Sequence, residues 1–217
     1  PLGKDINTIA VIGPLADDKV DLLGCWHAHG MPRAVVTLLE GIKAKVSPAT
    51  KILYARGCGF TNDLTAGFSN ALMVARQADV IIMAVGENAN MSGEMSSRSS
   101  LDIPGEQEEL VRQVSQLGKP VVEVLMKGRP LSIGWDAEHV PAILETWFLG
   151  TEAVDAIADV MFGDYNPSGK LPVTFPRTVG QVPMYYNHKN SGRPASAIRF
   201  TAKYQDLPWT PLYPFGF

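Results

Sequence analysis

Cysteine is scarce: only Cys25 and Cys58 occur in 217 residues, too few for a disulfide framework. Cys25 lies in "GCWHAHG", whose C-x-H-x-H spacing matches no common zinc pattern and is followed by no second ligand pair, so no metal is expected. Basic charge is not in excess either. A formal net charge of −3 and a pI near 5.8 exclude nucleic acid and anionic membrane as bulk electrostatic partners. No apolar run approaches the roughly 20 residues of a membrane span. No secretory leader opens the chain, since "PLGKDINTIAV" has no apolar core of that shape; such a leader could have been removed, or the chain could be a piece of something longer. Nucleotide-binding glycine motifs are missing as well. "VIGPLAD" is not G-x-G-x-x-G, "GCWHAHG" leads to no G-K-[ST], and "NMSGE" lacks the leading glycine of a G-x-S-x-G elbow. No cofactor is therefore expected.

What is present is an ordinary globular composition, 46% hydrophobic and 19% charged, enough to bury roughly 70% of the unfolded chain's surface. Five apolar, β-branched runs recur: Thr8–Gly13, Lys51–Gly57, Asp79–Gly86, Pro120–Met126 and Ala142–Phe148. They do not alternate cleanly, so they read as strands buried on both faces of a parallel sheet. Helical periodicity fills the gaps, in "RAVVTLLEGIKAKV", "DLTAGFSNALMVARQA", "GEQEELVRQVSQLG" and "TEAVDAIADVMFG", with one short helix expected between Met126 and Ala142. Strands alternating with helices give a doubly wound α/β fold, in which ligands bind at the carboxyl ends of the strands. From Asn166 onward the chain turns rich in Pro, Gly, Tyr and Phe, with "LPVTF" as its one strand candidate.

Among the loops at the carboxyl ends, "GENANMSGEMSSRSS" after the third run reads as much the longest. Loops beyond about 12 residues are uncommon unless functional. Its Gly, Ser and Asn offer little to bury, which predicts mobility over Gly86–Ser100. Glu94 in this loop is a candidate general acid, its ordinary alternative being a solvated loop glutamate. Asp102 and Glu106 read as charges at a helix start that Gly105 begins. Arg98 is a candidate sugar ligand, or else an anchor that pairs with a carboxylate to hold the loop. "KGRP" could bind an anion, though an Arg at a strand end is more often a loop anchor. Trp147 could stack on a sugar or simply pack.

The order "IAVIGPLAD", "LLGCW", "VGENANMSGEMSSRSSLDIPGEQEELV", "KGRPLS", "ILETWFLGTEAVDAIADVMFGDYNPSGKLPVTFPRTVGQVPMYYNHKNSGRP" and "LYPFGF" closely resembles the second domain of family-3 glycoside hydrolases, the bacterial periplasmic β-glucosidases above all. The resemblance spans essentially the whole chain, and "FGDYNPSGKLPVTFP" is its most specific part. It implies a three-layer α/β sandwich with a mostly parallel sheet of about six strands over residues 1–176. It implies an irregular extension over 177–217 leading toward a third, β-sandwich domain. It also implies a retaining β-glucosidase acting on terminal non-reducing β-D-glucosyl residues, periplasmic or secreted. In such an enzyme Glu94 supplies the acid/base, while the nucleophile lies in an N-terminal (β/α)8 barrel that this chain lacks. Such a chain alone is expected to be inactive. The alternative is a carbohydrate-binding or structural α/β domain without chemistry.

Overall fold

The computed structural model describes residues 1–61 and 65–217. Five strands form one all-parallel sheet: β1 (Thr8–Ile12), β2 (Lys51–Ala55), β3 (Val80–Gly86), β4 (Val121–Met126) and β5 (Ala142–Glu145), in the order β2-β1-β3-β4-β5. Each lies within one of the five apolar runs. The expected sixth strand is not among the described residues. "LPVTF" makes only an isolated antiparallel bridge, Phe175 to Tyr213. The helices are α1 (Leu38–Lys45), α2 (Phe68–Gln77), α3 (Gln107–Ser115), α4 (Gly134–His139) and α5 (Ala153–Met161). Of the helical pattern expected over 63–78, Asp63 and Leu64 lie outside the described residues and α2 takes up its later part.

Burial explains the sequence pattern. All seven residues of β3 are buried, whereas the edge strands β2 and β5 are mostly half-buried or exposed. Alternate residues of the central strands feed two apolar layers. Ile9, Val11, Ile82 and Val124 pack with Leu38, Ile42, Val154 and Ile157 of α1 and α5. Each such side chain contributes about 1.5–3 kcal/mol by leaving water. Close packing here requires Gly41 in α1, because a Cβ there would lie 2.2 Å from Val154 Cγ1. On the other face, Ala71 and Ala75 of α2 and Leu110, Val111 and Val114 of α3 are buried.

The first helix starts later than its apolar pattern. Residues 32–34 form a single 3₁₀ turn, and α1 begins only after Thr37. Thr37 and Glu40 make a capping box: Glu40 N–H donates to Thr37 Oγ1 (3.2 Å) and Thr37 N–H donates to Glu40 Oε2 (2.9 Å). The connection 13–37 after β1 is consequently longer than the connection 87–106 after β3, reversing the expected ranking of those loops.

The chain divides into two compact units. One comprises residues 1–98, 103–129 and 135–167 and holds the sheet; the other comprises 99–102, 130–134 and 168–217. The second unit is built on side-chain hydrogen bonds and aromatic contacts more than on regular elements. Buried Gln181 accepts from Arg177 N–H (2.6 Å) and donates to Pro208 O (3.0 Å), and Tyr186 stacks on Phe215 at 4.4 Å.

Candidate active site

The strand order places β1 and β3 side by side while the chain leaves them in opposite directions, β1 toward β2 and β3 toward β4. Loops diverging from adjacent strands open a crevice at their carboxyl ends. The β3 loop leaves at Gly86, whose φ of +145° and closeness to β4 both demand glycine: a Cβ would lie 1.9 Å from Met126 O. Gln107, fully buried at the start of α3, closes the loop's far end onto the same residue. Its side-chain amide accepts from Gly86 N–H (2.9 Å) and donates to Gly86 O (2.8 Å) and Pro104 O (2.7 Å).

Glu87 comes directly after Gly86 and is fully buried. Its carboxylate meets Arg98 Nη1 at 3.0 Å and Arg129 Nε at 2.8 Å through Oε1, and accepts from Gly128 N–H at 3.2 Å through Oε2. Arg129 reaches further, with Nη2 donating to Met91 O and to Ser96 O (2.9 Å). The loop is also seated from below. Ala89 N–H donates to Asp21 Oδ1 (2.8 Å), and burial pushes the Asp21 carboxyl up despite that bond. A Cβ on Gly93 would meet Cys25 Sγ at 2.5 Å, and one on Gly128 would meet Ser92 Oγ at 2.1 Å.

Glu94 stands on this base as an exposed corner residue. Ser96 N–H bonds back to Gly93 O (3.3 Å), closing a turn whose central residues are Glu94 and Met95. Met95 takes φ +62°, the left-handed conformation usual for glycine at that position, and is 97% exposed. Such strain persists only where the surroundings fix it. The expected mobility of the loop thus meets a segment bonded at its base, with Glu94 and Met95 projecting from it.

Arg98 sits on Glu87, the anchoring alternative of its two expected roles. Trp147 follows β5, partly buried, with φ +55°, and its backbone N–H donates to Glu145 Oε1 (3.2 Å). The fully buried Lys127 ammonium lies 4.8 Å from the Trp147 ring centroid and pairs with Glu145. Burial pushes the Lys127 ammonium down and the Glu145 carboxyl up, each opposed by the partner's charge. Asp102 is not at a helix start. It bridges Ser132 and accepts from Ser100 Oγ (2.8 Å), because positive-φ Gly105 delays the helix and Glu106 takes its cap position. Among the described residues no three His, Cys, Asp or Glu gather as metal ligands.

Sequence reasoning missed Glu87 and the Lys127–Glu145 pair. The available signal was a carboxylate directly behind an all-apolar strand, with an arginine on either side of the next helix.

The family model "Glycosyl hydrolase family 3 C-terminal domain" matches residues 1–217. A periplasmic beta-glucosidase of Salmonella typhimurium is 46% identical over 100% of this chain and 31% of its own length. A beta-xylosidase of Formosa agariphila is 43% identical over 98% of this chain and 29% of its own. The solved beta-glucosidase of Listeria innocua in complex with isofagomine superposes with a TM-score of 0.92 at 37% identity, covering 100% of this chain and 30% of that one. The chain thus spans about a third of the length of these relatives.

Proposed function

The chain belongs to the glycosyl hydrolase family 3 C-terminal domains, and from that membership we propose that it is the acid/base-bearing domain of a retaining β-glucosidase. The substrate is a glycoside or oligosaccharide with a terminal, non-reducing β-D-glucosyl residue. A retaining enzyme needs two carboxyl groups about 5–5.5 Å apart, one a nucleophile and one an acid/base. Glu94 is the acid/base. It gives its proton to the departing glycosidic oxygen as the C1–O bond breaks and the nucleophile takes C1. It then removes a proton from the water that displaces the nucleophile.

The observation that carries this reading is the placement of Glu94: a solvated carboxylate at the corner of a strained turn, on a loop whose base is fixed by buried charges. A carboxylate so presented serves chemistry outside its own domain. The nucleophile belongs to an N-terminal (β/α)8 barrel preceding this chain. Trp26 (75% exposed), Met31, Met95 and Leu149 are exposed apolar side chains on the segments that follow β1, β3 and β5, suited to cover by such a partner. Trp147, supported by Lys127, flanks the sugar, and Arg98 holds the loop rather than the substrate. The 217 residues alone do not hydrolyse glycosides. The enzyme works in the periplasm or outside the cell, as the Salmonella relative's name indicates of that protein.

The test is Glu94→Ala in the barrel-containing enzyme. Cellobiose turnover falls by roughly 10²–10⁴-fold, the usual worth of general acid catalysis. Dinitrophenyl β-glucoside, which needs no proton to leave, forms its glucosyl intermediate normally, and azide restores turnover with release of β-glucosyl azide. Wild-type cellobiose hydrolysis by Glu94→Ala would sink the assignment.

A further inference from the structure

A connecting loop needs no buried charge, and three charged side chains gathered under one are a poor way to gain stability, since well-packed apolar residues do as well or better. Their geometry suits another purpose. Arg98 closes the far side of segment 88–98 onto the carboxylate that precedes it. Arg129 spans the neck of the turn, touching Glu87 with one nitrogen and bonding Met91 O and Ser96 O, on either side of Glu94, with another. Gly128 N–H fixes the second carboxylate oxygen to the exit of β4, where Ser92 also packs. The two carbonyl oxygens that Arg129 holds on this neck are thus tied to Glu87 through one guanidinium.

We propose that Glu87 is the positioning residue of the reaction: its buried carboxylate, acting through Arg98 and Arg129, sets where the Glu94 carboxyl stands against the glycosidic oxygen. This rests on Glu94 being the acid/base. Glu87 touches no substrate. Its effect is on orientation, where a displacement of about 1 Å can cost about 10²-fold.

The decisive experiment is a double-mutant cycle in the barrel-containing enzyme, with cellobiose and dinitrophenyl β-glucoside as substrates. Glu87→Gln lowers kcat/KM on cellobiose about 10²-fold and leaves the glucosylation step on the dinitrophenyl substrate unchanged. KM for cellobiose moves little. Glu87→Gln added to Glu94→Gln costs nothing further, because the positioned group is already lost. Arg129→Lys, which keeps the charge and loses the planar fork, gives a smaller loss with the same dependence on leaving group, and decides the matter if Glu87→Gln fails to fold. Equal losses on both substrates, or multiplicative losses in the double variant, overturn the proposal. If Glu94→Gln slows cellobiose and neither Glu87→Gln nor Arg129→Lys does, this inference alone falls. If Glu94→Gln itself spares cellobiose, the acid/base reading falls and takes this inference with it.

Discussion

Glu87 and Glu123 belong to neighbouring stretches of the sheet, one directly after β3 and one within β4, and both are wholly buried. Two guanidinium groups and a backbone N–H surround the first. Neither carboxyl oxygen of the second has a hydrogen-bond partner among the described residues, and Asp136, also buried, on α4, finds none beyond its own backbone N–H. Burial drives the Glu123 carboxyl well above the usual range, and Asp136 and Glu108 add to the rise against a weaker pull from Lys127. Burial likewise pushes Asp136 up to about 6, with Glu108 raising it and Arg112 and His139 lowering it. One carboxylate organises a loop by holding cations. Burial biases the other two toward their protonated forms, Asp136 only below about pH 6. Burial alone does not tell which; the donors within reach do.

The sharpest way to break the contrast is to remove each acid in turn. Glu87→Ala takes the buried carboxylate from between Arg98 and Arg129 and costs about 3–5 kcal/mol in urea unfolding. A loss below about 1 kcal/mol would mean the arginines are satisfied without it.

Next in size is pH. Asp136 has a raised carboxyl in the folded state, so the fold holds a proton that the unfolded chain releases near its ordinary value of 3.8. The stability this contributes is fully present below that value and is lost as pH rises through about 6. The loss is on the order of 2–3 kcal/mol. Urea midpoints at several pH values read it, and Asp136→Asn should flatten the curve. A wild-type curve that climbs across this window would count against a protonated Asp136.

Glu123→Met removes an unpartnered buried acid and stabilises by about 1–2 kcal/mol, the opposite sign to Glu87→Ala. The smallest effect belongs to Arg112. Its guanidinium pairs with Glu108 (Nε to Oε1, 3.0 Å) and lies 4.3 Å from the Trp135 ring centroid, both partly solvated. Arg112→Ala costs about 1 kcal/mol and moves the loss of stability near pH 6 to slightly higher pH, because Asp136 loses a cation.

The same contrast separates what the sequence revealed from what it hid. Strands β1, β3 and β4 were legible because residues buried on both faces must be apolar, and an apolar run needs no partner to be recognised. Glu94 stood out as a candidate because a family motif surrounds it, and the structure adds only that it lies exposed at a turn. The start of α1 was also written in the chain, as Thr37 and Glu40 three residues apart, but the apolar period running back to Arg33 obscured it. Glu87, Lys127 and Glu123 were not legible as a group. A charge beside or inside an apolar run reads as a strand boundary or a solvated position, and only the parallel register brings Glu123 beside Met83 and Ile143. Whether a cation waits there is decided by residues on other elements.

The Gln107 amide that grips Gly86 from both sides has a consequence for how this domain can vary. It ties the two ends of segment 87–106 together and so fixes the spacing between the exit of β3 and the start of α3. Lengthening such a loop is cheap, about 0.6 kcal/mol for each doubling. The tip that carries Glu94 can therefore change in length while the knot at its root keeps its spacing.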